Sequence, residues 1–468
     1  MQRKLTLFFL ALYPVAPSFF KILGLDSGVI LAIAYCCSIY FIIGISQKKI
    51  KIYKKDATLL LICFLFIMIP LIAHGDFFRL IRDFLERVVL VLVLVDFFKN
   101  NNNVEKSLKI LIIVALVFSI IGIIESLTAT NVFTILYNSS GSDIGPELQY
   151  RGGIARSETV FGHAITYGVY LTIMALLTSM KINESKSKLF RLSYLFIIVN
   201  LILTISRVPI IVFFFMQLLL LFFFGKKLMV KSIIKGIAIA IAVMIIASLI
   251  PGLLNIIQTS LLAAAAVFSE NALNRVSASI GTGNPFAYRL ELLNTIPQYI
   301  EGHYLLGRGI NYTLTFTMFG HHYYSIDNAI LVWMLHHGIL GAIGYILPSV
   351  LTLVFGIKCY IKDRNDKIAI CLALCAAAHI LDLLSVAQMG EYRIVLILFA
   401  LSIAHYNNFY KRKMLNGNHS SVVVRPSGTE SKLKTNIAVS AKDESTAKVV
   451  EQKIVEELKE RIILGGNI

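Results

Sequence analysis

The sequence predicts an all-α polytopic membrane protein of about a dozen helices, and three observations carry that reading. Hydrophobic residues make up 57% of the 468 and charged ones only 15%, and the mean hydropathy of +0.76 is too high for an ordinary soluble domain. Apolar runs of about 20 residues, the length of helix that crosses a hydrocarbon core, recur from Leu5 to Asn407. The lysines between them gather into a few short loops.

Spans are expected at 5–22, 27–46, 57–73, 80–98, 108–127, 163–180, 192–206, 208–224, 232–250, 338–358, 368–386 and 392–409. The first is read as a retained span, because no small-residue cleavage site precedes the next polar segment. With these twelve, the basic loops 48–55, 99–109, 181–191, 226–231, 358–367 and 410–413 all fall on one side, which the positive-inside pattern makes cytoplasmic. Both termini are then cytoplasmic. The net charge of +17 therefore reflects topology, and a nucleic-acid partner is excluded. The six cysteines show no metal-ligand spacing, so neither a metal nor a cofactor is expected.

Two external segments, 128–162 and 251–325, are too long for turns and are expected to carry function. Neither contains lysine, yet they hold Arg151, Arg156, Arg275, Arg289 and Arg308, and Arg207 falls at the outer end of a tight hairpin. A guanidinium stays charged and grips phosphate oxygens in pairs, which suits diphosphate recognition at a membrane surface. The alternative is that these arginines pair with Glu158, Glu270, Glu291 and Glu301.

In the second segment, Asn284-Pro285-Phe286 opens an amphipathic helix with Leu290, Leu293, Ile296 and Ile300 on one face, suited to lie on the membrane. Gly307-Arg308-Gly309 follows as a tight loop, then His321 and His322. The apolar stretch from Ile326 to Cys359 is too long for one span and too short for two, so a half helix broken at His337-Gly338 is expected, with Asp327 at its outer lip. A carboxylate there can act as a general base or hold an arginine in place.

Thr204-Ile205-Ser206-Arg207, Arg289, Gly307-Arg308-Gly309, and Asp327-Asn328 followed by Gly338-Ile339-Leu340-Gly341 resemble, in order and topology, the bacterial O-antigen polymerases (Wzy type) and O-antigen ligases. The resemblance spans nearly all of residues 1–410, and Arg151 with Gly162 is similar to the arginine and glycine motif of the polymerases' external loops. It implies metal-independent glycosyl transfer from undecaprenyl diphosphate-linked saccharides at the periplasmic face of the bacterial inner membrane. Arg207 and Arg289 would steady the diphosphate, with Arg151 and Arg308 behind them, and Asp327 or His322 would take the acceptor's proton. A chain-length regulator is an implied partner. Ligases typically carry histidine where this chain has Asp327, which favours a polymerase over a ligase. A lipid-linked oligosaccharide flippase is a further alternative, kept open by Arg79, Arg82 and Arg87 near the fourth span.

After Lys413 the chain turns polar, and residues 411–468 are expected to form a short α+β cytoplasmic tail. Its Arg425-Pro426-Ser427-Gly428-Thr429 resembles the phosphate-binding loop of the last domain of phosphohexomutases. The other active-site loops of that family are absent, which implies a vestigial fragment.

Overall fold

The computed structural model describes residues 2–17, 20–22, 25–46, 53–134, 149–151, 154–185, 187–225, 229–230, 285–318, 321–323, 326–384, 392–417, 421–426, 433–438, 448, 451–452 and 455–456. The expected span 232–250 lies outside them. The chain divides into two compact units, residues 1–404 and 405–468.

The first unit is helical. Helix α1 (Gln2–Leu12) ends in a short 3-10 turn at Tyr13–Val15, because Pro14 lacks the amide that would continue an α-helix. The expected first span is shortened accordingly. Helices α2 (Ser27–Ser46) and α3 (Lys54–Ala73) follow. The next expected span is built from α4 (Phe77–Phe84), a π-helical turn (Leu85–Val89) and α5 (Leu90–Phe98). Asp76 caps α4 by accepting from the Arg79 amide at 3.1 Å.

Helix α6 (Asn101–Thr128) begins where the Asn100 side chain accepts from the Asn102 amide at 2.9 Å, and ends at left-handed Ala129. Helices α7 (Ala164–Glu184), α8 (Lys188–Leu203) and α9 (Arg207–Phe224) complete the central part. Helix α7 is buried along nearly its whole length against α6, α8 and α9. Small residues allow such approach in a membrane bundle: a Cβ on Gly168 would stand 3.0 Å from Pro209 of α9. At one end of α7, Lys181 is held by Glu105 and Glu184, each at 2.6 Å.

The remaining helices are α10 (Pro285–Ile300), α11 (Ala329–Lys362), α12 (Lys367–Asp382) and α13 (Tyr392–Gly417). Among the described residues, five helices are long and apolar enough to cross a membrane: α3, α6, α7, α9 and α11. Helices α8 and α12, at 16 residues each, fall below that length.

Helix α11 is interrupted at Gly338, where φ is 65° and ψ −170°, at the dipeptide where the break was expected. A Cβ there would collide with the Leu305 carbonyl, so only glycine fits. The strap 303–309 closes the gap with its own backbone. The amides of Arg308 and Gly309 donate to the carbonyls of Leu335 and His336 at 2.8 and 2.9 Å, and the amides of Ile339 and Leu340 donate to Tyr304 and Leu305 at 2.8 and 3.3 Å.

Four two-stranded antiparallel hairpins complete the described structure: β1–β2 (Lys21–Ile22, Leu25–Asp26), β3–β4 (Tyr150–Arg151, Ile154–Ala155), β5–β6 (Phe316–Met318, His321–Tyr323) and β7–β8 (Ser421–Pro426, Leu433–Ala438). The last belongs to the second unit and sets Arg425 opposite Lys434. Ser427, Gly428 and Thr429, and the side chain of Arg425, lie outside the described residues.

Candidate functional site

The hairpin between α8 and α9 is a four-residue turn, Thr204 to Arg207. Ile205 takes a positive φ of 48°, unusual for a β-branched residue, and places Ser206 at the N-cap of α9 with Arg207 as its first residue. Ser206 makes no side-chain cap bond to α9. The positive end of that helix dipole lies beside the guanidinium. Arg207 Nε is buried and has no hydrogen-bond partner among the described residues.

Helix α10 brings a second guanidinium to the same place. Leu292, Ile296 and Ile300 are its buried face, packed with Ile326, Leu331 and Leu335, and Arg289 precedes Leu292 by three positions on that side of the helix. This corrects the face expected from the sequence. Leu290 and Leu293 are half exposed, at 50% and 51%, while Ile296 and Ile300 are fully buried. The helix therefore packs on α11 through one face and turns those two leucines outward.

Arg289 interacts electrostatically with Arg207 on one side and with Asp327 on the other. Its Nε, like that of Arg207, is buried without a hydrogen-bond partner. Asp327 stands just before α11, whose cap is Asn328, accepting from the Leu331 amide at 3.1 Å. Burial raises the Asp327 carboxyl above its ordinary value, and Arg289 pulls it partly back. Two guanidinium groups, each with an Nε unbonded among the described residues, beside one carboxylate, have the chemistry to hold an anion carrying more than one negative charge.

The other expected site residues are placed differently. Arg308 spends its Nε on the Tyr299 carbonyl and stacks over the Tyr312 ring at 5.1 Å. His322 is exposed and pairs with Thr317 at 2.9 Å across β5–β6. Arg151 lies in β3, opposite Ile154, with its side chain outside the described residues.

A scaffold around the hairpin was not legible as such. Glu125, buried near the end of α6, accepts from the amides of Glu158 and Thr159 at 3.3 and 2.9 Å. Asn131 donates to the Thr159 carbonyl at 3.1 Å, and the Ser157 amide donates to the Leu203 carbonyl at 3.2 Å. Burial pushes the Glu158 carboxyl up to about 7 and the His163 ring down to about 4, the latter helped by Arg156.

No curated protein matches the chain. Residues 192–346, the stretch that contributes Arg207, Arg289, Arg308 and Asp327, match the model of the Wzy_C family, described as O-antigen ligase, a likeness consistent with the O-antigen polymerase and ligase superfamily.

Proposed function

We propose that the protein is an O-antigen polymerase that joins undecaprenyl diphosphate-linked repeat units at the periplasmic face of the bacterial inner membrane. The observation that carries this reading is the grouping of Arg207, Arg289 and Asp327, with two guanidinium Nε atoms that have no hydrogen-bond partner among the described residues. A sugar hydroxyl of one unit attacks the anomeric carbon of the other. The new C–O bond forms as the bond to the lipid diphosphate breaks, and the diphosphate leaves with the electron pair.

Arg207 and Arg289 bind the departing diphosphate and neutralise the charge that builds on it. Asp327 takes the hydroxyl proton, and its raised proton affinity suits a general base. His322, turned to Thr317 on an exposed hairpin, is the weaker candidate. Arg308 contributes through the strap it anchors, and Arg151 is retained as a further diphosphate contact on the resemblance alone. The saccharide donor and the surrounding lipid are the expected partners, with a chain-length regulator implied by the family.

A ligase, transferring finished polysaccharide to lipid A-core, is the second reading, favoured by the description of the matched family. The carboxylate of Asp327, where ligases typically carry histidine, favours polymerisation. Deleting the gene in its host and resolving the lipopolysaccharide on a silver-stained gel separates the two. Core bearing a single repeat unit is the expected result. Bare core would point to ligation, and an unchanged ladder would overturn both readings.

A further inference from the structure

We infer that Arg156 is a positioning residue that sets the geometry of the diphosphate-binding hairpin, an assignment that rests on the function proposed above. Its side chain is 6% exposed and directs three donors to three places. Nε donates to the Thr204 carbonyl at 2.8 Å, Nη2 to Ser206 Oγ at 2.9 Å, and Nη1 to Gln149 Oε1 at 2.6 Å. Two of those acceptors flank Ile205, the residue with the strained φ of 48°. The third belongs to the segment leading into β3–β4, where the Gln149 carbonyl also accepts from the Arg156 amide at 2.9 Å.

The bonds do separate things. The Thr204 carbonyl terminates α8 and has lost its helical partner, and a cation there satisfies it and complements the negative end of that helix. Ser206 Oγ also donates to the Thr204 carbonyl, at 3.2 Å, so its lone pairs face Arg156 and its proton faces the turn. That hydroxyl is thereby engaged away from the start of α9, where Pro209 at the third position offers no amide to cap, consistent with a serine at an N-cap position that makes no cap bond. One buried guanidinium thus holds the left-handed turn, engages the N-cap serine and fixes where Arg207 starts. Lysine cannot reproduce this, because its single ammonium cannot reach acceptors spread across a planar fork.

The test uses the full-length protein in nanodiscs, with undecaprenyl diphosphate as the binding probe and lipid-linked repeat units as the transfer substrate. Arg156→Met is expected to weaken probe binding about tenfold, and Arg156→Lys to restore only part of it. The double variant Arg156→Met/Arg207→Met should bind no more weakly than Arg207→Met alone, because both changes remove one contact. Ser206→Ala, a milder cut to the same brace, should weaken binding about threefold and serves if Arg156→Met does not insert.

A role in stability alone would lower the melting temperature of Arg156→Met while leaving binding unchanged, or would give losses that multiply in the double variant. Either result overturns the inference. Wild type that binds the probe without transferring saccharide would sink the polymerase reading and leave the coupling between Arg156 and Arg207 to be judged by binding. Wild type that does not bind the probe would remove both.

Discussion

On α4 and the π-helical turn, Arg82 and Arg87 are engaged by their neighbours. Arg82 donates to Asp83 at 3.0 and 3.1 Å, the other Asp83 oxygen takes the Tyr345 hydroxyl at 3.0 Å, and Arg87 lies between the rings of Tyr345 and Tyr392 while bonding the Tyr392 hydroxyl. Arg393 is likewise tied to Asp26 and the Ala16 carbonyl. Arg79 keeps Nε unbonded but faces Asp83 electrostatically. At the α8–α9 hairpin, Arg289 acts electrostatically on both Arg207 and Asp327, and the Nε of each arginine has no hydrogen-bond partner among the described residues. Charges within a bundle are tolerated when paired. The paired set of Arg82, Arg87 and Arg393 reads as structure, and the unpaired set of Arg207 and Arg289, whose Nε atoms have no partner among the described residues, as a place prepared for something that arrives.

The largest effect should come from the unpaired set. Arg207→Lys, Arg289→Lys and Asp327→Asn are each expected to cut glycosyl transfer by about a hundredfold or more while inserting normally. Full activity in both lysine variants would end the diphosphate assignment. Because Asp327 must be ionised to act as base, wild-type activity should fall as pH drops through its raised pKa.

In the paired set the same kind of change should act on stability instead. Asp83→Asn leaves Arg82 and Arg87 without their anion in a buried site, at a cost of about 3–5 kcal/mol, read as a lowered melting temperature. A stable Asp83→Asn protein that has lost transfer would erase the distinction between the two regions.

A smaller effect tests the scaffold beside the hairpin. Glu158, raised from 4.5 to about 7, holds stability that is full below pH 4.5 and lost as pH rises through about 7. His163, lowered from 6.5 to about 4, holds stability that is full above pH 6.5 and lost as pH falls through about 4. Between pH 4.5 and 6.5 these slopes, each about 1.4 kcal/mol per pH unit, oppose one another. Relative to wild type, Glu158→Gln should therefore gain a melting temperature that rises with pH, and His163→Gln one that falls. Parallel curves for all three would contradict both shifts. The smallest effect, no loss of transfer, is expected on deleting residues 416–468; complete loss in a properly inserted truncation would show that the tail is not vestigial.

Helix positions were legible because length and hydrophobicity are what lipid demands of a helix. Arg207, Arg289 and Asp327 were legible by type, since charged groups beside apolar spans need a reason. The buried face of α10 was not. Leu290 and Leu293 point outward and Leu292 inward, and where lipid is as apolar as a protein core, periodicity does not say which leucine meets which. Arg308 was read as a diphosphate contact from its charge and the resemblance. Beside it, Gly307 lets the strap approach a helix break, a partner some thirty residues downstream that local pattern does not reveal. Arg156 escaped for the same reason, its acceptors lying 48 and 50 positions away.

The strap is a splint. Four backbone groups that an unbroken α11 would have satisfied internally are instead satisfied by residues 304–309, two as donors and two as acceptors. Lifting it would expose all of them at once in apolar surroundings, each at a cost of about 1–3 kcal/mol. The segment over the break therefore cannot serve as a lid that opens for each turnover. The helix that carries Arg289 ends just before the strap and packs on the half of α11 that follows Asp327, so the guanidinium and the carboxylate are hung from a single stiff piece. On the function proposed above, lipid-linked substrates would then enter from the side, along the bilayer in which their own tails move.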